Sequence, residues 1–407
     1  MKNNYYLEML EAEIARFRAS PERAEALAAA RYYRGEHDIQ KRCRTAIGGD
    51  GSVIKLDNMP CARITDNQFT RLVDQKINYS LGVPFTADTG DGDFAAVLSR
   101  YTDAASQRLW RAAATEAMTA GIAWLHPYIN ESGALCLRRF DGASCFPLWS
   151  DAAHTTLDAL VRLCPFEYYS GRHRHIGERV FVYTRHGTEE YKLEGGRLCL
   201  IKKAPHMSDT NGRGFNWDCV PAIAVRYNHD CVPMIRRVKA LQDALNTLIS
   251  EFCDNMSENS RSTVLVLRNF DGEDLSEFRR NLAVYGAVKV RSEAGADGGV
   301  DTLRVEVNAD NYDSLRSILT EAITEACRGF DSHDGRLGSN PNRMNVLALY
   351  SDIDLDANGF ECELACAWDV WCGFIRSYFY YTRGKDFTHS GMKLRFYRKL
   401  LLNDAQA

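Results

Sequence analysis

The sequence predicts an α+β protein of several parts, on three observations. Apolar residues recur at helical spacing toward both ends of the chain. From Ile122 to Arg226 the pattern changes to short strand-period runs joined by tight turns. Two long helical segments then bracket a small β-containing module between Ser260 and Asn308. The 407-residue length exceeds what one hydrophobic core usually serves, so more than one structural unit is expected.

In chain order, the first 34 residues read as two helices split at Pro21, with Leu7, Leu10, Ile14 and Phe17 on one face of the first. A helix from Asn67 to Leu81 follows, with Asp66 as its N-cap. Gly82 is placed at the left-handed C′ position and Pro84 forbids continuation. A third helix is expected from Phe94 to Ala120, closed by Gly121. The strand candidates are 122–129, 134–140, 159–168, 179–184, 189–193 and 198–202. Asn130-Glu131-Ser132-Gly133 and Glu194-Gly195-Gly196 mark hairpin turns. This is an antiparallel meander, which argues against a doubly wound nucleotide-binding fold.

Pro233 opens a long helix on which Val238, Leu241, Leu245, Leu248 and Phe252 step alternately by three and four, a narrow seam suited to packing against other long helices. The module after it contains strand candidates 263–267 and 288–290 and the loop 294–299. A second helix, from Asn311 to Arg328, carries Leu315, Ile318, Leu319, Ala322, Ile323 and Ala326 on one side and is closed by Gly329. A polar segment, 331–343, precedes a long helix from Asn358 to Arg383 that ends at Gly384. A basic strand candidate, 392–402, comes last.

Composition narrows the function. The formal net charge of −4 disfavours tight phosphate binding by a monomer, although a surface past which DNA slides is compatible with it. The thirteen cysteines follow no secretory signal and read as reduced thiols, mostly small core residues. The aromatic run 364–381 carries Asp369 and Arg376, each costing about 2.5–3.5 kcal/mol at a bilayer centre, so it reads as a helix buried on several sides and no membrane partner is expected.

Chemical motifs are sparse. There is no phosphate-binding Gly-x-x-x-x-Gly-Lys-Ser/Thr loop, no Gly-x-Ser-x-Gly elbow and no His-Glu-x-x-His, so no catalytic residue is assigned and no cofactor is expected. Asp352, Asp354, Asp356 and Glu363 resemble a calcium loop, but either register lacks one essential residue. A capped helix start explains them equally. His173, His175, His206, Cys219, His229 and Cys231 fit no zinc spacing, and Cys362, Cys366 and Trp368 read as core residues of one helix. Arg236, Arg237 and Lys239 oppose the dipole at the start of the Pro233 helix. They suit an acidic partner, a neighbouring subunit or DNA phosphate, or a solvated face.

Three stretches and one order of elements carry a resemblance. Arg31-Tyr32-Tyr33-Arg34-Gly35-Glu36-His37-Asp38-Ile39 is similar to a Tyr-Tyr-x-Gly-x-His-x-Ile element. Asn67, Val73, Asp74, Lys76, Tyr79, Gly82 and Pro84 match a helix-to-Pro motif, and 220–228 resembles an Ile-Pro stretch ahead of a long helix. Together with the order helix, β module, helix, polar loop, long helix, they resemble the portal, or head–tail connector, proteins of long-tailed, non-contractile phages and prophages.

That resemblance implies an α+β portal fold. Its parts would be a wing over 1–231, a first stem helix over 232–257, a clip over 258–309, a second stem helix over 310–330 and a tunnel loop over 331–343. The long wing helix and basic strand would occupy 344–407, with the usual C-terminal crown missing or truncated. It also implies a non-enzymatic ring, usually of twelve subunits, at the portal vertex of the virion, assembled in the host cytoplasm. Double-stranded DNA would pass in the channel during packaging and ejection. The other partners would be the terminase large subunit and the head-completion, scaffold and major capsid proteins. His333, Arg336, Asn340, Asn342 and Arg343 would face the channel, and Val238, Leu241, Leu245, Leu248, Phe252, Leu315, Ile318 and Ala322 would pack the stem. The other readings are a different ring-forming adaptor, or a two-metal nuclease built on Asp352, Asp354, Asp356 and Glu363.

Overall fold

Local signals start the N-terminal helices as the sequence predicts. In the computed structural model, helix Lys2–Arg18 is followed by Pro21–Tyr33, where Ser20 accepts the Arg23 N–H and Pro21 occupies the first helical turn. The structure describes residues 2–47, 51–56, 59–208, 212–259, 264–268, 299–303, 309–330 and 350–398. They fall into two compact units. The first comprises 1–37, 67–242 and 321–407; the second comprises 38–66 and 243–320.

In the first unit, a five-stranded antiparallel meander has the sequence order Cys145–Trp149, Leu157–Ser170, His173–Thr184, Gly187–Glu194, Arg197–Ala204. Leu10 and Ile14 of the first helix are buried against one face, among Val161, Leu163, Val180, Val182 and Tyr191, with Leu7 and Phe17 packed beside them. Beside it is a three-stranded antiparallel sheet in which Ile122–Ile129 is central, between Leu135–Phe140 and Ile223–Arg226. The strands at 145–149 and 223–226 are added by the structure through their pairing; burial does not alternate along the first, and the second, only four residues long, does alternate.

Several boundaries differ from the sequence reading, each for a local reason. The helix expected over 94–120 is two, Gly92–Leu98 and Ala104–Ala120, because the Asp103 side chain caps a new start by accepting the Ser106 N–H. Helix Gln68–Leu81 is entered from Asn67, not Asp66, and Gly82 is right-handed at φ −71°. A Cβ at Gly82 would lie 2.2 Å from the Asn78 carbonyl oxygen, so close approach explains the glycine. The long helix begins at Ser351, which puts Asp352–Gly359 inside a helix and removes the calcium-loop geometry. Arg383 ends it, with Gly384 left-handed at φ +64°. The last strand is Lys393–Arg395, paired with Thr86–Asp88, and residues beyond 398 lie outside the described ones.

The thiols are a further correction. Only Cys145, Cys327 and Cys372 are buried, whereas Cys43, Cys199, Cys219, Cys362 and Cys366 are exposed. Helix 351–383 buries Trp368, Trp371, Phe374 and Ile375 and turns Cys362 and Cys366 outward. Among the described residues no helix is long and apolar enough to cross a membrane.

In the second unit, Thr45–Ile47 pairs with Val53–Lys55 and Val264–Arg268 with Gly299–Leu303, both antiparallel. The two long helices, Ile235–Asn259 and Ala309–Ala326, cross the division between the units. Phe252 stacks on Tyr312 with ring centroids 3.9 Å apart. Three side chains on the first helix accept backbone N–H groups from the segment before Asn67. Asp254 takes Ala62 at 2.7 Å, Ser250 takes Ile64 at 3.0 Å and Asn246 takes Asp66 at 3.0 Å.

Candidate functional site: the motif network and the helices beside it

The residues that carry the resemblance touch one another in the first unit. Tyr33 donates to Asp74 at 2.7 Å. His37 stacks on Tyr32 with centroids 4.3 Å apart, and its Nε2 lies 3.1 Å from Asn67 Oδ1. The Thr70 hydroxyl donates to the same oxygen at 2.9 Å, so the Asn67 side chain ties two motifs together instead of capping its helix. Gly35, at φ +81°, supplies the left-handed turn that brings His37 back onto Tyr32. In the third stretch, Val225 and Tyr227 are buried, while Asn228 closes a turn by bonding Val232 in both directions at 2.8 and 2.9 Å.

Lys76 and Tyr79 extend this network to the long helix. Lys76 is 2% exposed and forms an ion pair with Asp356, whose Oδ2 also accepts the Tyr227 hydroxyl at 2.9 Å. Burial lowers the Lys76 pKa against the pull of Asp356. Burial and then Asp356 raise that of Tyr227, which stays a neutral donor. Tyr79 donates to Asp354 at 2.9 Å and its pKa is pushed up to about 12, first by burial and then by that bond. Arg398 pairs with Asp354 and with Glu361, the latter at 2.7 Å.

Asp354 and Asp356 are thus engaged by different partners, Asp354 by Tyr79 and Arg398 and Asp356 by Lys76 and Tyr227. Among the described residues no group of three His, Cys, Asp or Glu is placed to hold a metal ion.

The same helix, Gln68–Leu81, holds both Phe330 and Tyr350. Gln75 accepts the Phe330 N–H at 2.8 Å and donates to the Phe330 carbonyl at 2.7 Å. The Phe330 ring stacks on Tyr350 at 4.7 Å, and Tyr350 on Tyr79 at 6.0 Å. Residues 330 and 350 are therefore fixed beside each other. His333, Arg336, Asn340, Asn342 and Arg343 lie outside the described residues, as do the strand expected at 288–290 and most of 258–309.

The helix before Phe330 ends in an unexpected way. Arg328, not Gly329, is left-handed, at φ +51°, while the Gly329 N–H bonds the Thr324 carbonyl at 2.8 Å. A Cβ at Gly329 would lie 2.4 Å from Leu72 Cδ2, so the end of the buried Leu72 side chain would have to shift to admit one.

The basic cluster has partners within the chain. Arg236 pairs with Glu25 at 2.7 Å, the Arg237 guanidinium stands 5.8 Å from the Tyr227 ring centre, and the Lys239 ammonium 4.9 Å from that of Tyr32. Of the stem residues, Val238 and Leu245 are buried, while Leu241, Leu248, Phe252 and Ala322 are half-buried. Leu315 and Ile318 are 45% and 60% exposed. Sequence reading missed the buried polar residues Gln242, Asn246, Ser250 and Asp254. Their strict spacing of four among leucines was the available signal.

Glu116 is the most perturbed carboxyl here. Burial raises its pKa to about 7, although it accepts the Gly142 N–H at 2.5 Å and pairs with Arg139 at 2.6 Å. A raised folded-state pKa stabilises fully below the ordinary carboxyl value and is lost as pH rises through 7. The loss is roughly 3 kcal/mol. Glu116→Gln is expected to flatten the change in thermal midpoint between pH 5 and pH 8. An unchanged pH profile would show that Glu116 ionises normally.

A five-stranded antiparallel meander, a long helix rich in buried aromatic residues and two further long helices make this an α+β protein. Residues 19–407 match the family described as phage portal protein, SPP1 Gp6-like, and the chain belongs to that family. It is similar to the portal protein of Bacillus phage SPP1, with 25% identity over 92% of this chain and 74% of that protein. It is also similar to that of Clostridium phage phiCD119, with 24% identity over 94% and 84%. The family is structural and non-enzymatic, and its members serve as the head–tail connector in DNA packaging.

Proposed function

We propose that this chain forms a ring of twelve subunits at the capsid portal vertex, with 232–257 and 310–330 as stem helices around a DNA channel. Residues 258–309 dock the terminase large subunit, and 331–343 present His333, Arg336, Asn340, Asn342 and Arg343 to DNA. Head-completion, scaffold and major capsid proteins are its further partners, and assembly takes place in the host cytoplasm. Beyond the family match, the observation that supports the ring is the exposure of Leu315, Ile318 and Met256 on the long helices. Apolar side chains so placed on one chain suit burial against a neighbouring copy.

Negative-stain electron microscopy with native mass tests this reading. Rings with an open channel are expected, and Leu315→Asp with Ile318→Asp should leave folded monomers. Rings that persist in that variant would remove the stem contact from the reading. Monomers of the unaltered chain at every concentration, with or without scaffold protein, would overturn the ring itself.

A further inference from the structure

The charges around Asp356 do not cancel. Its Oδ2 carries the Lys76 ion pair and the Tyr227 hydroxyl bond. Its Oδ1 lies 3.9 Å from Arg237 Nη1 and 3.9 Å from Arg328 Nη1, both beyond hydrogen-bond distance. One carboxylate thus faces three cations, and among the described residues neither guanidinium has a closer acidic partner. Cys327 supplies no compensating charge, since burial pushes its thiol up to about 12. The Arg237 and Arg328 side chains remain 32% and 59% exposed, so an ion from solvent can reach them.

The backbone adds an independent observation. Arg328 holds φ +51°, where a side chain costs about 1–2 kcal/mol and glycine costs little. An arginine therefore occupies a position where chain geometry favours glycine, and what it adds is the guanidinium. Strain kept at such a place points to the side chain's use.

We propose that Arg237 and Arg328 form a phosphate-binding site at the rim of the Asp356 cluster. Planar guanidinium groups offer paired donors to a tetrahedral oxyanion, and the local excess of positive charge suits a phosphate better than a second shared carboxylate. The phosphate comes from a DNA backbone or from free inorganic phosphate. The DNA source rests on the portal reading, in which residue 328 lies in the second stem helix, 310–330, just before the proposed tunnel loop 331–343. Binding of inorganic phosphate does not depend on that reading.

Calorimetric titration of the full chain at low ionic strength, with inorganic phosphate and with a short DNA duplex, tests the site. Saturable phosphate binding is expected, weakened at least tenfold in both Arg328→Gly and Arg237→Gln. Arg328→Gly should also keep or raise the thermal midpoint, which separates lost binding from lost folding. Duplex binding weakened in parallel supports the backbone source. Duplex binding unaffected by either variant assigns the site to free phosphate and leaves the portal reading to the microscopy. Equal phosphate binding by the unaltered chain and Arg328→Gly overturns the site. So does absence of phosphate binding with ring assembly altered in Arg328→Gly, which would give these arginines to a neighbouring subunit's carboxylate.

Discussion

Asp356→Ala is expected to destabilise the first unit by about 3–5 kcal/mol, because it leaves Lys76 buried and charged without its counterion. The Tyr227 hydroxyl loses its acceptor in the same step. Urea unfolding followed by tryptophan fluorescence reads the change, since Trp368 and Trp371 are buried on the helix that carries Asp356. The control is the double variant Lys76→Met with Asp356→Leu, which removes both charges and should recover most of the loss. A single variant within 1 kcal/mol of the unaltered chain would mean that Lys76 is neutral or hydrated when folded. Arg237 and Arg328 cannot take over from Asp356, because they carry the same sign as Lys76.

Gly121→Ala should be damaging on a similar scale, for steric reasons. Gly121 holds φ +88°, and a Cβ there would lie 2.0 Å from the Cys231 carbonyl oxygen. That contact is backbone against backbone, so no rotamer change relieves it. The Tyr227 N–H bonds the Gly121 carbonyl at 3.1 Å and the Met234 N–H bonds Met118 at 3.1 Å, which stitches the end of helix 104–120 to the approach of the first long helix. Left-handed strain and overpacking together cost about 2–5 kcal/mol. Gly133→Ala isolates the first of these, since Gly133 has φ +78° and nothing within 4 Å of its added Cβ. Similar unfolding midpoints for the two variants would remove the steric argument.

What the sequence revealed was whatever depends on near neighbours. Ser20-Pro21, Gly384 and the turns at 130–133 and 194–196 punctuate elements by local backbone preference, and the structure has them where expected. The Asp103 cap was equally local, but the helical periodicity on either side concealed it. Pairings over long distances were not legible. Lys76 reads as one polar residue on an apolar face until Asp356, 280 positions later, is placed against it. The motif residues 33, 37, 67, 74, 76 and 79 were identified by resemblance alone; their contacts give a physical reason for that grouping. The leucine seam on helix 235–259 drew attention from the opposite pattern, the polar row at 242, 246, 250 and 254.

That polar row recognises its neighbour without reading its sequence. Residues 246, 250 and 254 recur every four positions, about 6 Å along a helix, while the amides of 66, 64 and 62 recur every two, about 6.5 Å along an extended chain. The near-equality lets one rigid ruler grip successive rungs of the other. Because the grip is on peptide groups, side chains at 62 and 64 are free to vary, but a one-residue deletion between them would put every later amide out of phase. Over this stretch, evolution can change the letters but not the count.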